Sequence, residues 1–337
     1  MVHYAFFGAE DKTGGVIKLV FNQASAGTEK EMYILLKHHR YKIKMIIGLE
    51  LNFKDFSLDG RFYIEMMDKY VHYQPRKFSF GRYVKNWNEK KHRKVIEEST
   101  VSDDLSLGFV DYNSFSAGRI QAVAKPYQIF SITQDSDFFN PSNDEIENMI
   151  ARKGFSCAYL YDYKYEKQQS AVFESDYAVF GISMELSNGL PYKMDYTGQK
   201  KFDISGNPGR ENWISSTGLL ACWKMWFGEE FYNLVPKERL LNFKGAFKIE
   251  ELHNDVVFVQ LFEKVEDSPT KKAQEIQWSW RKWLNFDELI KKIHKVYVVS
   301  PSSGESMKDE PMSKDYAYAT LVCIMHFPTA KMRPVDL

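Results

Sequence analysis

Apolar and polar residues alternate along this chain in short blocks, and the period changes from block to block. Residues 3–8 and 16–22 read as two strands joined by a loop around Asp11 to Gly15, where a glycine pair supplies the turn. Thr28 followed by Glu31 is a capping box. Met32, Leu35, Leu36 and His39 then fall at helical spacing, which predicts an amphipathic helix over 28–39. Over 41–53 the period shortens to two, with Ile43, Met45, Ile47, Leu49, Leu51 and Phe53 on one face, as a half-buried strand requires. A similar order returns as a strand over 127–133, a helix over 144–153 and a strand over 155–165. Ser142 and Glu145 form that helix's capping box, and Gly154 is its C′ residue. Two split βαβ-type units are the expected organisation.

Between these units, 61–66, 78–84 and 106–110 read as strand-like pieces. The polar run KNWNEKKHRK over 85–94 reads as a solvated loop or helix face, with an RNA-contacting patch as the alternative. Further on, 171–185 alternates as a strand, and 247–252 with 256–262 form a hairpin turning at Asn254 and Asp255. The run over 216–227 is apolar nearly all round: Leu219, Leu220, Cys222, Trp223, Met225, Trp226 and Phe227 leave Lys224 as its only charge. It reads as a buried helix with Ser216 as N-cap and Gly228 as C′ residue. Ser268 and Pro269 are expected to open another helix as N-cap and N1, with Ala273, Ile276, Trp280, Trp283 and Leu284 as its apolar stripe. Trp278 lies about 140° from Ala273 at 100° per residue, off that stripe, and needs a second neighbour. Asp287 is expected to cap a following helix through His294. The stretch 300–314 reads as a surface loop and 316–327 as a final strand.

The fold class this predicts is α+β, with mixed or antiparallel sheets and helices packed on one face. Length divides most naturally into two domains, 1–135 and 136–337, the second carrying the Trp-rich run. Aromatic residues, 15% of the chain, favour strands and interfaces and tilt the picture toward sheet. Forty-five basic and 45 acidic side chains cancel, so no global field attracts nucleic acid or an anionic membrane. Cys157, Cys222 and Cys323 are widely spaced in apolar segments, which suits reduced, buried thiols in a cytoplasmic protein. No long apolar run predicts a membrane span.

Chemistry leaves little trace. No GxGxxG, P-loop, HExxH or GxSxG pattern occurs, so no cofactor is implied. His38 and His39, the only adjacent histidines, point about 100° apart on a helix and suit no shared metal. Cys323 and His326 fall on opposite faces of a strand and make no nucleophile–base pair. The loop SGNPGRENW over 205–213 is the one candidate retained. Its glycines and Asn-Pro turn expose amides, and the Arg210 fork could hold a carboxylate or phosphate. Alternatively Arg210 pairs with an acid such as Asp203, and the turn only positions Trp213 against the core. The aromatic excess also suits a binding surface, with Trp213, Trp278 and Arg281 as its expected exposed members.

NPGRENWISSTGLLACWKMWFGEEFYNLVPKERLLNF, with the later VVFVQLFEK and WRKWLNFDEL, resembles segments of uncharacterised bacterial proteins similar to the immunity proteins of polymorphic toxins. The resemblance covers about a quarter of the chain and implies a cytoplasmic protein that neutralises a toxin domain by binding it. The expected function is therefore non-enzymatic protein binding through an aromatic and charged surface. The alternatives are a hydrolase or nucleotide-processing enzyme with an anion site at Arg210, and a structural or self-assembling protein.

Overall fold

A computed structural model describes residues 45–295, apart from 55–57, 72–74, 81–82, 99–104, 109–113, 122–125, 188, 195–197 and 215–216. The elements expected over 3–39, the surface loop over 300–314, the strand over 316–327, Cys323 and Ser216 lie outside the described residues. The chain divides into two compact units, Met1–Met45 and Ile46–Leu337, and every described element belongs to the second.

The N-terminal elements are β1 (Ile46–Phe53), α1 (Gly60–Tyr70), β2 (Lys77–Phe80), β3 (Tyr83–Asn86), α2 (Glu89–Glu98), β4 (Leu105–Gly108), β5 (Ser114–Gln121) and β6 (Pro126–Asp135). There follow α3 (Asn143–Ile150), β7 (Phe155–Asp162), α4 (Tyr163–Ser170), α5 (Glu174–Val179), β8 (Tyr192–Met194), β9 (Lys200–Phe202), β10 (Asn212–Ile214), β11 (Thr217–Leu219) and β12 (Lys224–Phe227). The last are α6 (Glu229–Tyr232), α7 (Lys237–Leu241), β13 (Lys248–Glu251), β14 (Val257–Gln260), α8 (Lys271–Leu284) and α9 (Phe286–Lys295). Ten strands form one sheet in the order β13-β14-β12-β7-β1-β6-β5-β4-β2-β3, with every neighbouring pair antiparallel. The fold is α+β, and the sheet crosses the boundary at 135 that length suggested.

β6 and β7 both run antiparallel to β1, which lies between them, so they are parallel to each other and joined through α3. This is the second of the two expected split βαβ units. The capping box is present as expected: Ser142 Oγ accepts from Glu145 N at 3.2 Å and Glu145 Oε2 accepts from Ser142 N at 2.8 Å. The helix closes earlier than expected, at Ile150 with Ala151 as C-cap, so Gly154 (φ 77°) is not its C′ residue but turns the chain into β7. The predicted hairpin turn is also present, with Asn254 and Asp255 at φ 61° and 59° between β13 and β14.

Cross-strand register sorts the core into two faces. Leu51 is opposite Phe130 and Ala158, and Ala158 opposite Trp226, so these share one face. There α1 packs, with Phe62 on the Phe130 ring at 5.1 Å. Tyr159, Met225 and Phe227 point to the other face, where Trp280 of α8 lies 6.0 Å from the Phe227 ring. Helices therefore cover both faces of the sheet rather than one.

The expected buried helix over 216–227 is not a helix. Thr217–Leu219 pairs with Asn212–Ile214 in a small hairpin, and Lys224–Phe227 is a strand between β7 and β14. A strand covered on both faces reads as an unbroken apolar run, and periodicity alone cannot tell it from a buried helix. Gly228 is extended (φ −108°, ψ −178°) and precedes α6; it is glycine because a Cβ there would meet Phe155 Cδ1 at 2.6 Å and its carbonyl oxygen at 2.8 Å.

Other local expectations are corrected by capping side chains. The strand-like 61–66 lies inside α1, whose N-cap Asp59 accepts from Phe62 N at 2.9 Å. The 78–84 piece is a hairpin of two strands, whereas the polar run keeps its expected character, its residues 89–94 lying on the largely exposed first turns of α2. The strand expected over 171–185 is α5 and a 3-10 turn at Met184–Ser187, because Asp176 accepts from both Val172 N and Phe173 N at 2.9 Å and closes a helical start. β7 ends at Asp162, whose carboxylate caps α4. Thr270, not Ser268, is the N-cap of α8: its Oγ1 accepts from Ala273 N, while the Ser268 hydroxyl donates to Val265 O.

Candidate functional site

Where β7 ends, Asp162 Oδ1 accepts from Tyr165 N at 3.1 Å and starts α4 at once, turning the chain back over β1. One face of α4 then carries Glu166, Lys167 and Ser170. Ser170 Oγ donates to Glu166 Oε1 at 2.8 Å and accepts from the backbone N–H of Glu211 at 2.9 Å, so the loop entering β10 is pinned beside α4. Glu50, the single charge in the strand IIGLELNF, points to the same face as Tyr159 and Tyr161.

These residues form a half-buried recess. Glu50, Lys167, Ser170, Glu211 and Trp213 are each partly accessible, while Glu166 is buried. Lys167 Nζ lies 2.7 Å from Glu166 Oε2. Burial raises the Glu50 carboxyl above its usual range, opposed by a hydrogen bond from Asn52 and by Lys167. Burial carries Glu211 well above its usual range, the Glu50 charge adding to it, against Lys167 and a hydrogen bond from the Trp213 indole. For Lys167, burial would lower the pKa, but Glu166 first, then Tyr161 and Glu211, hold it well above that of a free lysine. Tyr161 lies flat over Gly48, where a Cβ would sit 2.5 Å from Cε2 of the ring.

Arg210 and Arg281, the sequence-predicted residues next door, are committed to structure. Arg210 is 7% exposed; Nη1 donates to Asn207 O at 2.6 Å and Nη2 to Asp287 Oδ1 at 2.7 Å. Its acid is thus Asp287, whereas Asp203 pairs with Lys193 and is held down at about 2 by that bond. Arg281, expected at the surface, is 1% exposed. It donates to Arg210 O at 3.0 Å, Asn212 Oδ1 at 2.8 Å and Asp287 Oδ1 at 2.8 Å. Asp287 sits in the first turn of α9, where burial would raise its carboxyl but the two guanidiniums, Arg281 first, hold it below the usual range. Trp278 is half-buried, and its second neighbour is the Arg210 guanidinium, 5.3 Å from the ring centroid. Trp213 is half-buried at the mouth of the recess. The structure therefore brings Arg210, Trp278 and Arg281 together around Asp287, with Trp213 beside Glu211.

Sequence reasoning missed Glu50, Glu166, Lys167 and Glu211. A lone carboxylate inside an apolar strand was the signal available for Glu50. Among the described residues no group of three or more His, Cys, Asp or Glu is placed to hold a metal ion. Cys157 and Cys222 are free and buried, and burial pushes the Cys157 thiol up to about 12 and Cys222 well above its ordinary value, so neither is a ready nucleophile.

A second feature stands apart from this recess. Between α4 and β10 the chain leaves as a small lobe, with Ala171, Tyr177, Ile182 and Phe202 as its own core. Phe202 N donates to Val172 O at 2.8 Å, so the lobe's entry segment meets β9 near its exit. The Tyr192 ring stacks on Phe202 at 4.7 Å, and Lys200 Nζ lies 3.7 Å from the Tyr192 centroid. An open hollow of 330 Å³ lies beside them, floored by Val172, Phe173 and Phe202.

No protein-family model, curated protein or solved structure matches this chain. No helix among the described residues is long and apolar enough to cross a membrane.

Proposed function

We propose that this chain is a non-enzymatic protein-binding protein, acting in the manner that the resemblance to toxin-neutralising immunity proteins implies, with a toxin domain as partner. The observation that carries this reading is the lobe. Of the eight large apolar side chains exposed among the described residues, five belong to it: Val179, Met184, Leu186, Tyr192 and Met194. A segment with a core of only four buried residues holds these groups in water, and gathered apolar exposure of that kind marks interaction surfaces. Tyr192 and Met194 occupy a two-strand hairpin, which presents them on a fixed backbone.

This moves the binding surface from the residues that the sequence singled out. Arg281 has no exposed area to offer a partner, and Arg210 has both terminal nitrogens engaged, which weighs against the alternative of a hydrolase or nucleotide-processing enzyme with an anion site there. The test is a pull-down from the source cell with the native chain and a Leu186→Asp/Met194→Asp variant, read by mass spectrometry and sizing. The expected result is a stoichiometric protein partner retained by the native chain and lost by the variant, with an unchanged thermal melt. Equal retention by both proteins, or a native chain that runs alone, overturns the reading.

A further inference from the structure

We propose that the recess over β1, formed by Glu50, Glu166, Glu211, Lys167 and Trp213, binds an organic cation, a primary ammonium or guanidinium group. Three carboxylates from three separate elements face one ammonium. Lys167 is already within 2.7 Å of Glu166, and among the described residues neither Glu50 nor Glu211 forms an ion pair of its own. A carboxyl this poorly solvated either keeps its proton or ionises against a partner, and an incoming cation supplies that partner.

A second observation points the same way. Asn52 is fully buried beside Glu50; its Nδ2 donates to Glu50 Oε1 at 2.9 Å, and its Oδ1 has no donor among the described residues. A buried acceptor next to a carboxylate is completed by a ligand N–H, which both ammonium and guanidinium carry in plural. Burial raises the protonation ranges of Glu50 and Glu211, and Lys167 offsets it only in part.

The chemistry favours an organic cation over a metal ion. Among the described residues the carboxylates do not gather tightly enough to form a metal-binding group, so their charge suits a ligand whose positive charge is spread or repeated. Aromatic walls suit the same class: Trp213 donates its indole N–H to Glu211, and Tyr161 lies over Gly48. Carboxylates that neutralise charge beside rings that accept a cation on their faces form a cage for alkylammonium and guanidinium groups. Solvent reaches Glu50, Glu211 and Trp213, so the recess has an entry.

The experiment uses the full chain and four probes, agmatine, L-arginine, putrescine and spermidine, with Mg2+ and Mn2+ as separate arms, followed by calorimetry and tryptophan fluorescence. Saturable one-to-one binding of an amine or guanidinium probe is expected. Glu211→Gln and Glu50→Gln should each weaken it by about tenfold or more, as loss of one charge-assisted hydrogen bond implies. Both variants should melt no lower than the native chain, and Trp213→Phe should abolish the fluorescence change. No binding of any probe at millimolar concentration, undiminished binding in both glutamine variants, or binding of the divalent metals alone overturns the proposal. Protein capture through the lobe is read in a different assay, so the two proposals fail independently.

Discussion

Arg281 in the last turn of α8 donates from Nη2 to Asp287 Oδ1 at 2.8 Å, bridging the left-handed Asn285 that ends one helix and the first turn of the next. Arg281 is wholly buried and Asp287 two-fifths exposed, so the arginine loses more if the contact is broken. Asp287→Ala should cost about 2 kcal/mol, below the usual figure for breaking a buried pair because the aspartate is partly solvated. Urea melts at neutral pH measure this; an unchanged midpoint would show that Asn212 and the Arg210 carbonyl suffice.

The same pair sets a response to acid. The Asp287 carboxyl is held below its ordinary value near 3.8, so its contribution is complete above that pH and lost as pH falls through the folded value. Native protein should lose stability on acidification below about pH 4 more steeply than Asp287→Asn. Parallel melts at pH 3 to 5 provide the comparison.

Glu211 carries the opposite sign. Its carboxyl is raised in the folded state, so ionisation costs stability as pH rises from the unfolded value near 4.5 through the folded one, and the cost is complete above it. Glu211→Gln should therefore stabilise the protein by about 1 kcal/mol at pH 8, discounted for the side chain's partial exposure, and by nothing at pH 4. A lower melting temperature at pH 8 would contradict this.

Gly228 and Gly206 give a steric contrast. A methyl group at 228 meets Phe155 side chain and backbone, whereas nothing lies within 4 Å at 206. Gly228→Ala should destabilise by about 1–3 kcal/mol through overpacking, and Gly206→Ala should be close to neutral. Chemical denaturation of the two variants side by side decides the matter.

Trp280 is fully buried against Phe227 and Phe243, and its Nε1 has no partner among the described residues. Trp280→Ala should cost about 3–5 kcal/mol. Trp280→Phe should cost far less, because it keeps a ring and removes an orphaned donor. Equal losses would mean that the indole nitrogen is satisfied in solution.

Legibility in the sequence followed the range of the forces involved. Ser142 with Glu145, and Asn254 with Asp255, are set by near neighbours in the chain, and each stands where its local pattern placed it. The apolar run around Trp226 misled because its meaning depends on β7 and β14, which lie far away in sequence. Asp176 and Thr270 outvoted alternation and the Ser-Pro signal by satisfying backbone donors. Arg210 and Trp213 stand out in the sequence, yet Glu211 between them does not, since its raised carboxyl comes from burial by other elements, with the Glu50 charge added. Arg281 was misplaced because a charge on a helix is ordinarily solvated, and only Asp287, Asn212 and the Arg210 carbonyl make its burial tolerable.

The bond from Phe202 N to Val172 O, with those that tie Asn207 and Gly209 to Gln169 and Glu211 to Ser170, brings the two ends of the lobe together. A segment whose ends touch can be lengthened, shortened or exchanged while the strands on either side stay in register. Substitutions across the lobe can thus change its surface while the pairing of the ten-stranded sheet is left as it is, which separates what the molecule presents from what holds it up.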